Sequence, residues 1–266
     1  MLRLIALVLV IMAISALMAM TGRGGGNFYV PALIACGSSM HEAATTGQCI
    51  LFSTAVAASL VFLRRRTIDW KLALVIDPPT DVMALIGGYY AHLLPGKSLK
   101  LVFAGFLTLA AFLMLRSVKE RPLSTDQRFG FWRRQFRECE YVVNLWLALP
   151  ITAATGLVAG MVGVSGGSFK VPLMVLACGV PMRVAVGTSS AMVATTALMG
   201  FMGHSAAGDL NISWAIPASA VAVIGGILGG IFSLKTNPKN LKSIFAYTTL
   251  AAAMFMIINA WLSPGD

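Results

Sequence analysis

Two short glycine-rich runs contain the residues whose types and spacing could bind an anion. The first is Gly-Gly-Gly-Asn at 24–27, and the second is Ser-Gly-Gly-Ser at 165–168. Glycine permits unwound backbone and close approach of a ligand, and it leaves the amide groups of the next helical turn unshielded. Two helix N-termini that point at one place favour negative charge there. The resulting candidate ligands are Gly25, Gly26, Asn27, Ser165, Gly166, Gly167 and Ser168.

Lys170 adds a formal positive charge directly after the second run. A charge at the centre of a membrane helix costs roughly 2.5–3.5 kcal/mol on insertion scales, so it normally faces a cavity or a partner. The alternative is that Lys170 extends to the membrane surface, as we expect for Arg23 near its segment end. Small polar residues further along could line the pathway or simply join helices by hydrogen bonds. They include Thr46, Gln48, Thr188 and Ser189.

Two carboxylates interrupt an otherwise apolar stretch at 72–94. Asp77 and Asp81 lie four residues apart, and the two prolines that follow Asp77 break the helix between them. Acidic residues inside a membrane are candidates for proton or cation coupling, whereas an interfacial position would give Asp77 no such role. His41 and Glu42 could form a second proton-handling pair or a solvated cap at the start of a span.

Both glycine-rich runs belong to a pattern that occurs twice in the chain. Residues 22–31 recur at 163–172, about 141 residues later, and Gly87-Gly88 matches Gly229-Gly230. Two related apolar halves, each interrupted by a glycine-rich break, are typical of membrane transporters. We predict a first transmembrane repeat over 1–115, a basic linker over 116–141 and a second repeat over 142–266.

The composition favours the same class of protein. Hydrophobic residues make up 58% of the chain and charged residues 11%, and the mean hydropathy is +0.81. Most of eight apolar runs are close to the roughly 20 residues that cross a bilayer. These runs are 2–21, 43–63, 72–94, 99–115, 142–163, 184–203, 212–234 and 241–262. Two shorter runs, 28–38 and 169–181, are better suited to re-entrant or broken helices.

The sequence therefore predicts an all-α polytopic membrane protein with eight long transmembrane helices and two short segments. Its net charge of +10 is concentrated in loops beside the spans, which is typical of the cytoplasmic side and gives no indication of nucleic-acid binding. The linker also carries aromatic residues, so we expect an interfacial helix on anionic lipid there. With five elements in each half, most basic residues fall inside, which favours inverted repeats and an external loop around Asp209.

The duplicated motif resembles the sulfite exporter TauE/SafE family over essentially the whole chain. The resemblance lies in Gly-Gly-(Asn/Ser)-Phe-x-Val-Pro, in the stretch 182–190, and in Ile-x-Trp before a Gly-Gly span. It implies secondary transport of sulfite, thiosulfate or an organosulfonate across the bacterial inner membrane, without enzymatic activity or a cofactor. It also implies that the two Gly-Pro segments form the substrate site. Arg23 and the Asp77–Asp81 pair depart from the family pattern, which leaves the substrate and the coupling ion open.

The expected partners are a small anion and the lipid bilayer, and homo-oligomerisation is left open. Two other classes remain as alternatives. A cation or metal permease would use Asp77, Asp81, His41 and Glu42 as ligands, although the sequence contains no dense His/Cys cluster. An intramembrane serine hydrolase would use Ser165 with a histidine base. The glycine context of Ser165 recurs in the first half without the serine, so the repeat explains it better.

Overall fold

The computed structural model describes residues 2–115, 129–164, 166–205, 210 and 212–262. The first half of the chain contains α1 (Leu2–Ala19), α2 (Gly26–Ala35), α3 (Met40–Arg64), α4 (Trp70–Ile76), α5 (Pro78–Tyr90) and α6 (Gly96–Leu115). The second half contains α7 (Leu145–Val162), α8 (Gly167–Pro172), α9 (Met182–Ser205), α10 (Ile212–Lys235) and α11 (Pro238–Leu262). A 3₁₀ turn over Ala91–Leu93 follows α5, and a π-helix over Leu173–Ala177 extends α8. Strands β1 (Phe131–Phe136) and β2 (Cys139–Asn144) lie between the halves.

Five helices of the described chain are long and apolar enough to cross a membrane. They are α3, α7, α9, α10 and the part of α11 that covers Pro238–Asn259. Shorter apolar helices cover Leu9–Ala19, Gly26–Ala35 and Gly167–Ala177. A multi-pass helical membrane protein is therefore confirmed. The other three predicted long spans fall on α1, on the pair α4 and α5, and on α6, and they stay a prediction.

The predicted proline break lies between α4 and α5. The side chain of Asp69 caps α4 by accepting hydrogen bonds from the backbone N–H groups of Lys71 (3.1 Å) and Leu72 (3.2 Å). Pro78 begins α5, where the missing N–H of proline leaves no helical hydrogen bond unmade. Asp77 thus lies at the junction between α4 and α5, where the regular helix is interrupted.

A β-hairpin occupies the end of the predicted linker. β1 and β2 pair antiparallel, and their turn includes Arg137, which has a positive φ of 57°. Along β1 the half-buried side chains of Trp132, Arg134 and Phe136 alternate with exposed ones. The expected interfacial helix is therefore wrong for residues 131–144, which form two paired strands whose exposed and half-buried side chains alternate along β1. The rest of the linker, 116–128, lies outside the described residues.

The hairpin marks one end of the helix bundle. Tyr141 of β2 shares a buried apolar cluster with residues from the start of α7 and from the start of α9, including Ala148 and Ala185. A neighbouring cluster joins the start of α9 to Ala19 at the end of α1 and to Leu241 at the start of α11. Helix α1 therefore runs towards the hairpin end, whereas α7 runs away from it.

Helices from opposite halves approach each other closely at glycines. A Cβ atom on Gly229 of α10 would lie 2.2 Å from the carbonyl oxygen of Ala16 in α1. A Cβ atom on Gly87 of α5 would lie 2.3 Å from the carbonyl oxygen of Leu157 in α7. Since no side chain fits at either contact, these glycines permit backbone packing, as small residues do between membrane helices. Each half of the chain thus packs into the other.

Candidate functional site

The two glycine-rich breaks meet in the interior of the protein. Asn27 in the first turn of α2 donates a hydrogen bond from Nδ2 to Oγ of Ser168 in the first turn of α8, at 2.7 Å. Both side chains are buried. A Cβ atom on Gly167 would lie 3.0 Å from the carbonyl oxygen of Gly22, so the backbones are also in close contact. The structure therefore brings the two predicted runs together, while Ser165 lies outside the described residues.

The ammonium group of Lys170 is buried in the same region and does not reach the surface. The residue has 0% solvent exposure, and its Nζ contacts the carboxylate of Asp77 across 93 residues of sequence. Nζ also donates to Oγ1 of Thr196 at 2.7 Å. A buried charge is strongly destabilising without a partner, and Asp77 supplies that partner for Lys170. The surface position considered for Lys170 is wrong because the acid and the hydroxyl hold its head group inside.

Asp77 and Asp81 belong to one hydrogen-bond network around Lys170. Thr195 donates to Oδ2 of Asp77 at 2.8 Å, and Thr196 donates to Oδ1 of Asp81 at 2.7 Å. Asp77 is 5% exposed, and its depth in the membrane stays a prediction. The network joins the start of α5 to α8 and α9. It contains the two aspartate carboxylates and one lysine ammonium group.

A cavity of about 100 Å³ opens beside the two acids. Its lining includes Trp70, Leu74, Asp77, Asp81, Met192 and Thr195. This volume is large enough for several water molecules. Both carboxylates line this cavity, whereas Lys170 does not.

Gly166 lies close to Lys170 and to Thr80 of α5. A Cβ atom on Gly166 would lie 3.1 Å from Cε of Lys170 and 3.4 Å from Cγ2 of Thr80. Thr80 is fully buried and precedes Asp81 in α5. Our sequence analysis missed Thr80, because a single threonine inside an apolar stretch gives no signal of its position in space.

The remaining polar candidates hold neighbouring elements in place. Oγ1 of Thr188 accepts a hydrogen bond from the backbone N–H of Asp69 at 2.9 Å, just before α4. Oγ of Ser189 donates to the carbonyl oxygen of Gly22 at 2.8 Å, at the first glycine break. Thr46 is buried within α3. These contacts of Thr188 and Ser189 match the helix-joining interpretation of their sequence.

His41 and Glu42 lie in the first turn of α3. The backbone N–H of Glu42 donates to Oγ of the capping residue Ser39 at 3.2 Å. Both side chains are half-buried, as residues of a helix start commonly are. Within the described part of the chain, no group of three or more His, Cys, Asp or Glu side chains could hold a metal ion. Asp77 and Asp81 of the cation-permease alternative therefore have no third ligand of these four types within the described residues.

Arg23 is a second buried cation, beside the first glycine break. Its side chain has 0% exposure, and its Nε donates to Oγ1 of Thr21 at 3.0 Å. The guanidinium group also donates to the hydroxyl groups of Thr248 and Thr249 on α11. The expectation that Arg23 reaches the membrane surface is wrong, because hydroxyl groups far away in the sequence bind it inside the protein.

The hairpin is tied to the start of α4. Arg134 donates two hydrogen bonds of 3.0 Å to the carboxylate of Asp69, and the hydroxyl group of Tyr141 donates a third. Burial acts to raise the pKa of Asp69, but the hydrogen bonds from Arg134, Tyr141 and the N–H of Leu72 outweigh it and lower the pKa. Since α4 ends directly before Asp77, this short helix connects the hairpin to the Lys170 network.

The chain is similar to membrane transporters over most of its length. The family model of the sulfite exporter TauE/SafE matches residues 7–256. The probable membrane transporter protein YunE of Bacillus subtilis is 25% identical over 236 residues, which cover 84% of this chain and 86% of the relative. A probable membrane transporter protein of Xylella fastidiosa is 23% identical over 91% of this chain and 90% of its own.

A plant protein is also similar to part of this chain. The sulfite exporter TauE/SafE family protein 6 of Arabidopsis thaliana is 28% identical over 60% of this chain and 35% of its own. No solved structure gives a significant match. The resemblance predicted from the duplicated motif is therefore confirmed.

Proposed function

This chain belongs to the sulfite exporter TauE/SafE family of membrane transporters, and we propose that it moves a small sulfur-containing anion across the bacterial inner membrane. Sulfite, thiosulfate and organosulfonates form the proposed substrate class. The observation that carries the proposal is the buried Lys170–Asp77 pair next to the contact between the two glycine-rich breaks. A fixed cation beside two helix N-termini is a suitable site for an anion.

Asp77 and the substrate compete for Lys170 in this proposal. In the present structure the carboxylate of Asp77 forms an ion pair with the ammonium group of Lys170. A proton that enters from the cavity and binds to Asp77 removes the negative charge that holds Lys170. The ammonium group then pairs with the anion instead, so that a proton and a monoanion bind together. Asp81 borders the same cavity and serves as a second proton acceptor.

We further propose that the two halves are inverted repeats, with repeats over 1–115 and 142–266. Three observations support this arrangement. Helices α1 and α7 run in opposite directions relative to the hairpin end. The Asn27–Ser168 bond joins two positions that match in the duplicated motif. The glycine contacts α10–α1 and α5–α7 also correspond to each other. Movement of one repeat against the other would give alternating access.

The position of the loop at Asp209 tests the inverted arrangement. Basic residues at 64–66 and 133–137 lie near the hairpin end, which we therefore place in the cytoplasm. A reporter enzyme fused near Asp209 should then be active only on the external side. A reporter fused to the hairpin turn provides the matched internal control. Cytoplasmic activity of the Asp209 fusion would contradict inverted repeats.

Flux into proteoliposomes tests the function itself. We would measure sulfite, thiosulfate, sulfoacetate, taurine and chloride with the wild-type chain and with Lys170→Ala. Saturable flux of a sulfur anion should fall at least about 100-fold in Lys170→Ala, because the fixed charge is lost. Tyr29→Phe, which alters the matching position of the first half, should keep flux within about threefold. Absence of flux for every anion, with or without a pH gradient, would overturn the proposal.

A second variant, Asp77→Asn, tests proton coupling. Unlike Lys170→Ala, it leaves no carboxylate without a cation at this site. Asp77→Asn leaves Lys170 without its acid, so the variant mimics the protonated state. We expect it to bind the anion but to lose the stimulation of flux by a pH gradient. Monodisperse elution in detergent is the control for folding. Unchanged stimulation by the gradient would remove Asp77 from the coupling mechanism.

A further inference from the structure

Two fully buried polar oxygen atoms near the second glycine break have no hydrogen-bond partner. They are Oε1 of Gln48 on α3 and Oγ1 of Thr80 on α5, and both residues have 0% exposure. A buried polar atom without a partner destabilises the folded protein. Such atoms therefore require an explanation, and a ligand that binds between them would provide their missing hydrogen bonds.

Thr80 approaches the same glycine as the side chain of Lys170, namely Gly166. Its Cγ2 would lie 3.4 Å from a Cβ atom on Gly166, and Cε of Lys170 would lie 3.1 Å from the same point. A Cβ atom at Gly166 would be in tight contact with Lys170, so the glycine allows the two side chains to approach this closely. Thr80 also lies in the first turn of α5, three residues after Asp77 and directly before Asp81.

Gln48 approaches the same glycine break from α3. Its Nε2 donates to the carbonyl oxygen of Val164 at 3.4 Å, two residues before Gly166. A Cβ atom on Gly200 would lie 2.7 Å from this Nε2, and Gly200 follows Thr196 by one turn of α9. These contacts fix the amide group with its nitrogen towards Val164. Oε1 remains unpaired, and an amide oxygen can only accept a hydrogen bond.

We propose that Gln48 and Thr80 determine specificity by selecting an anion that carries a hydrogen-bond donor as well as acceptor oxygens. Gln48 Oε1 accepts the substrate's O–H group, the Thr80 hydroxyl donates to one of its oxygens, and Lys170 pairs with its charge. Hydrogensulfite and hydroxyalkanesulfonates have both kinds of group. Thiosulfate, sulfate and simple alkanesulfonates present acceptors alone. This inference rests on the proposed function and narrows its substrate class.

The test uses two sulfonates that differ by one hydroxyl group, ethanesulfonate and 2-hydroxyethanesulfonate. Their Kd values are measured by titration of the full chain in detergent. Wild type should bind 2-hydroxyethanesulfonate at least about tenfold more tightly, because the analogue leaves Gln48 Oε1 unpaired. Gln48→Met has a similar volume without the acceptor, and its preference should fall to within about twofold.

Two variants of Thr80 separate chemistry from packing. Thr80→Val keeps the shape but removes the hydroxyl group, and it should weaken binding of both sulfonates about fivefold or more. Thr80→Ser keeps the hydroxyl group and should restore most of that affinity. If Thr80→Val and Thr80→Ser behave alike, the hydroxyl group has no role in binding.

The outcomes of this test are distinct from those of the flux measurement. Equal Kd values in wild type, binding of neither sulfonate, or an unchanged preference in Gln48→Met would overturn the inference. In the last case Gln48 would be a packing residue whose oxygen binds water. Sulfite and thiosulfate flux, measured in parallel on the same protein, then shows separately whether the proposed anion transport holds.

Discussion

The first turns of α2 and α8 make the same contact with different chemistry. Tyr29 of α2 forms a hydrogen bond of 2.8 Å with Oγ1 of Thr54 on α3. Lys170 occupies the matching position of α8 and donates to Oγ1 of Thr196 on α9 at 2.7 Å. In both halves, a side chain just after a glycine break thus reaches a threonine on the next long helix. The contact itself therefore belongs to the shared architecture.

The difference lies in what surrounds that contact. Asp77 and Asp81 join Lys170 from α4 and α5, whereas the matching positions on α10, Ser219 and Val223, are uncharged. A neutral phenol needs no counter-ion, but a buried ammonium group does. One copy of the motif thus has a neutral hydrogen bond at this position, whereas the other has a buried ion pair.

Transfer of the lysine to the first copy should give the largest effect on stability. Tyr29→Lys places a buried charge where no acid matches Asp77, so unfolding should become easier by about 3–5 kcal/mol. The double variant Tyr29→Lys/Ser219→Asp supplies an acid and should recover part of the loss. Thermal unfolding in detergent measures both, with Tyr29→Phe as control at about 1 kcal/mol. Equal stability of Tyr29→Lys and wild type would show that the two environments do not differ as described.

The bond between the breaks should give a smaller, coupled effect. Asn27→Ala and Ser168→Ala each remove one side of the contact between α2 and α8. A double-mutant cycle should show a coupling free energy of about 1 kcal/mol, because the two side chains form a direct buried hydrogen bond. Thermal unfolding of the four proteins measures it. Additive effects of the two changes would indicate that the breaks are not joined in this way.

The smallest expected effect concerns the start of α4, which the hairpin holds through Asp69. The matching position on α10 is Ser213, which is exposed. Because the folded-state pKa of Asp69 is lowered, its contribution is present above the usual aspartate pKa of about 4 and is lost as the pH falls further.

Asp69→Asn keeps a good helix cap but removes the charge that binds Arg134. Its loss of stability relative to wild type should be below about 1 kcal/mol at pH 7, because Arg134 is partly exposed. The difference should shrink as the pH falls from 5 towards 3. Thermal unfolding over this pH range checks the sign, and a difference that grows with acidity would contradict it.

The sequence was sufficient for the features that depend on local pattern. The apolar runs, the proline break after Asp77 and the duplicated motif predicted a helical membrane transporter and its family. The contact between the glycine breaks agrees with the prediction that both runs point at one place. The role of these residues in substrate binding stays a prediction.

The long-range contacts could not be predicted in the same way. Lys170 and Asp77 lie 93 residues apart, and their pairing depends on how α5 packs against α8 and α9. Arg23 likewise finds its hydroxyl partners on α11, more than 200 residues away. The hairpin was missed because β1 has adjacent arginines and aromatics, which conceal the two-residue alternation. Neither propensity nor hydropathy contains this information.

The packing of α1 against α10 has a consequence for biosynthesis. Ser233 Oγ donates to the carbonyl oxygen of Met20 at 2.7 Å, and these residues are 213 positions apart. At a translation rate of about 5–20 residues per second, α1 waits roughly 10–40 s before its partner helix leaves the ribosome. During that interval α1 lacks the glycine-containing face of α10 against which it packs. Helix α1 can therefore reach its final packing only late in synthesis. Truncation after α9 should leave α1 without its main partner.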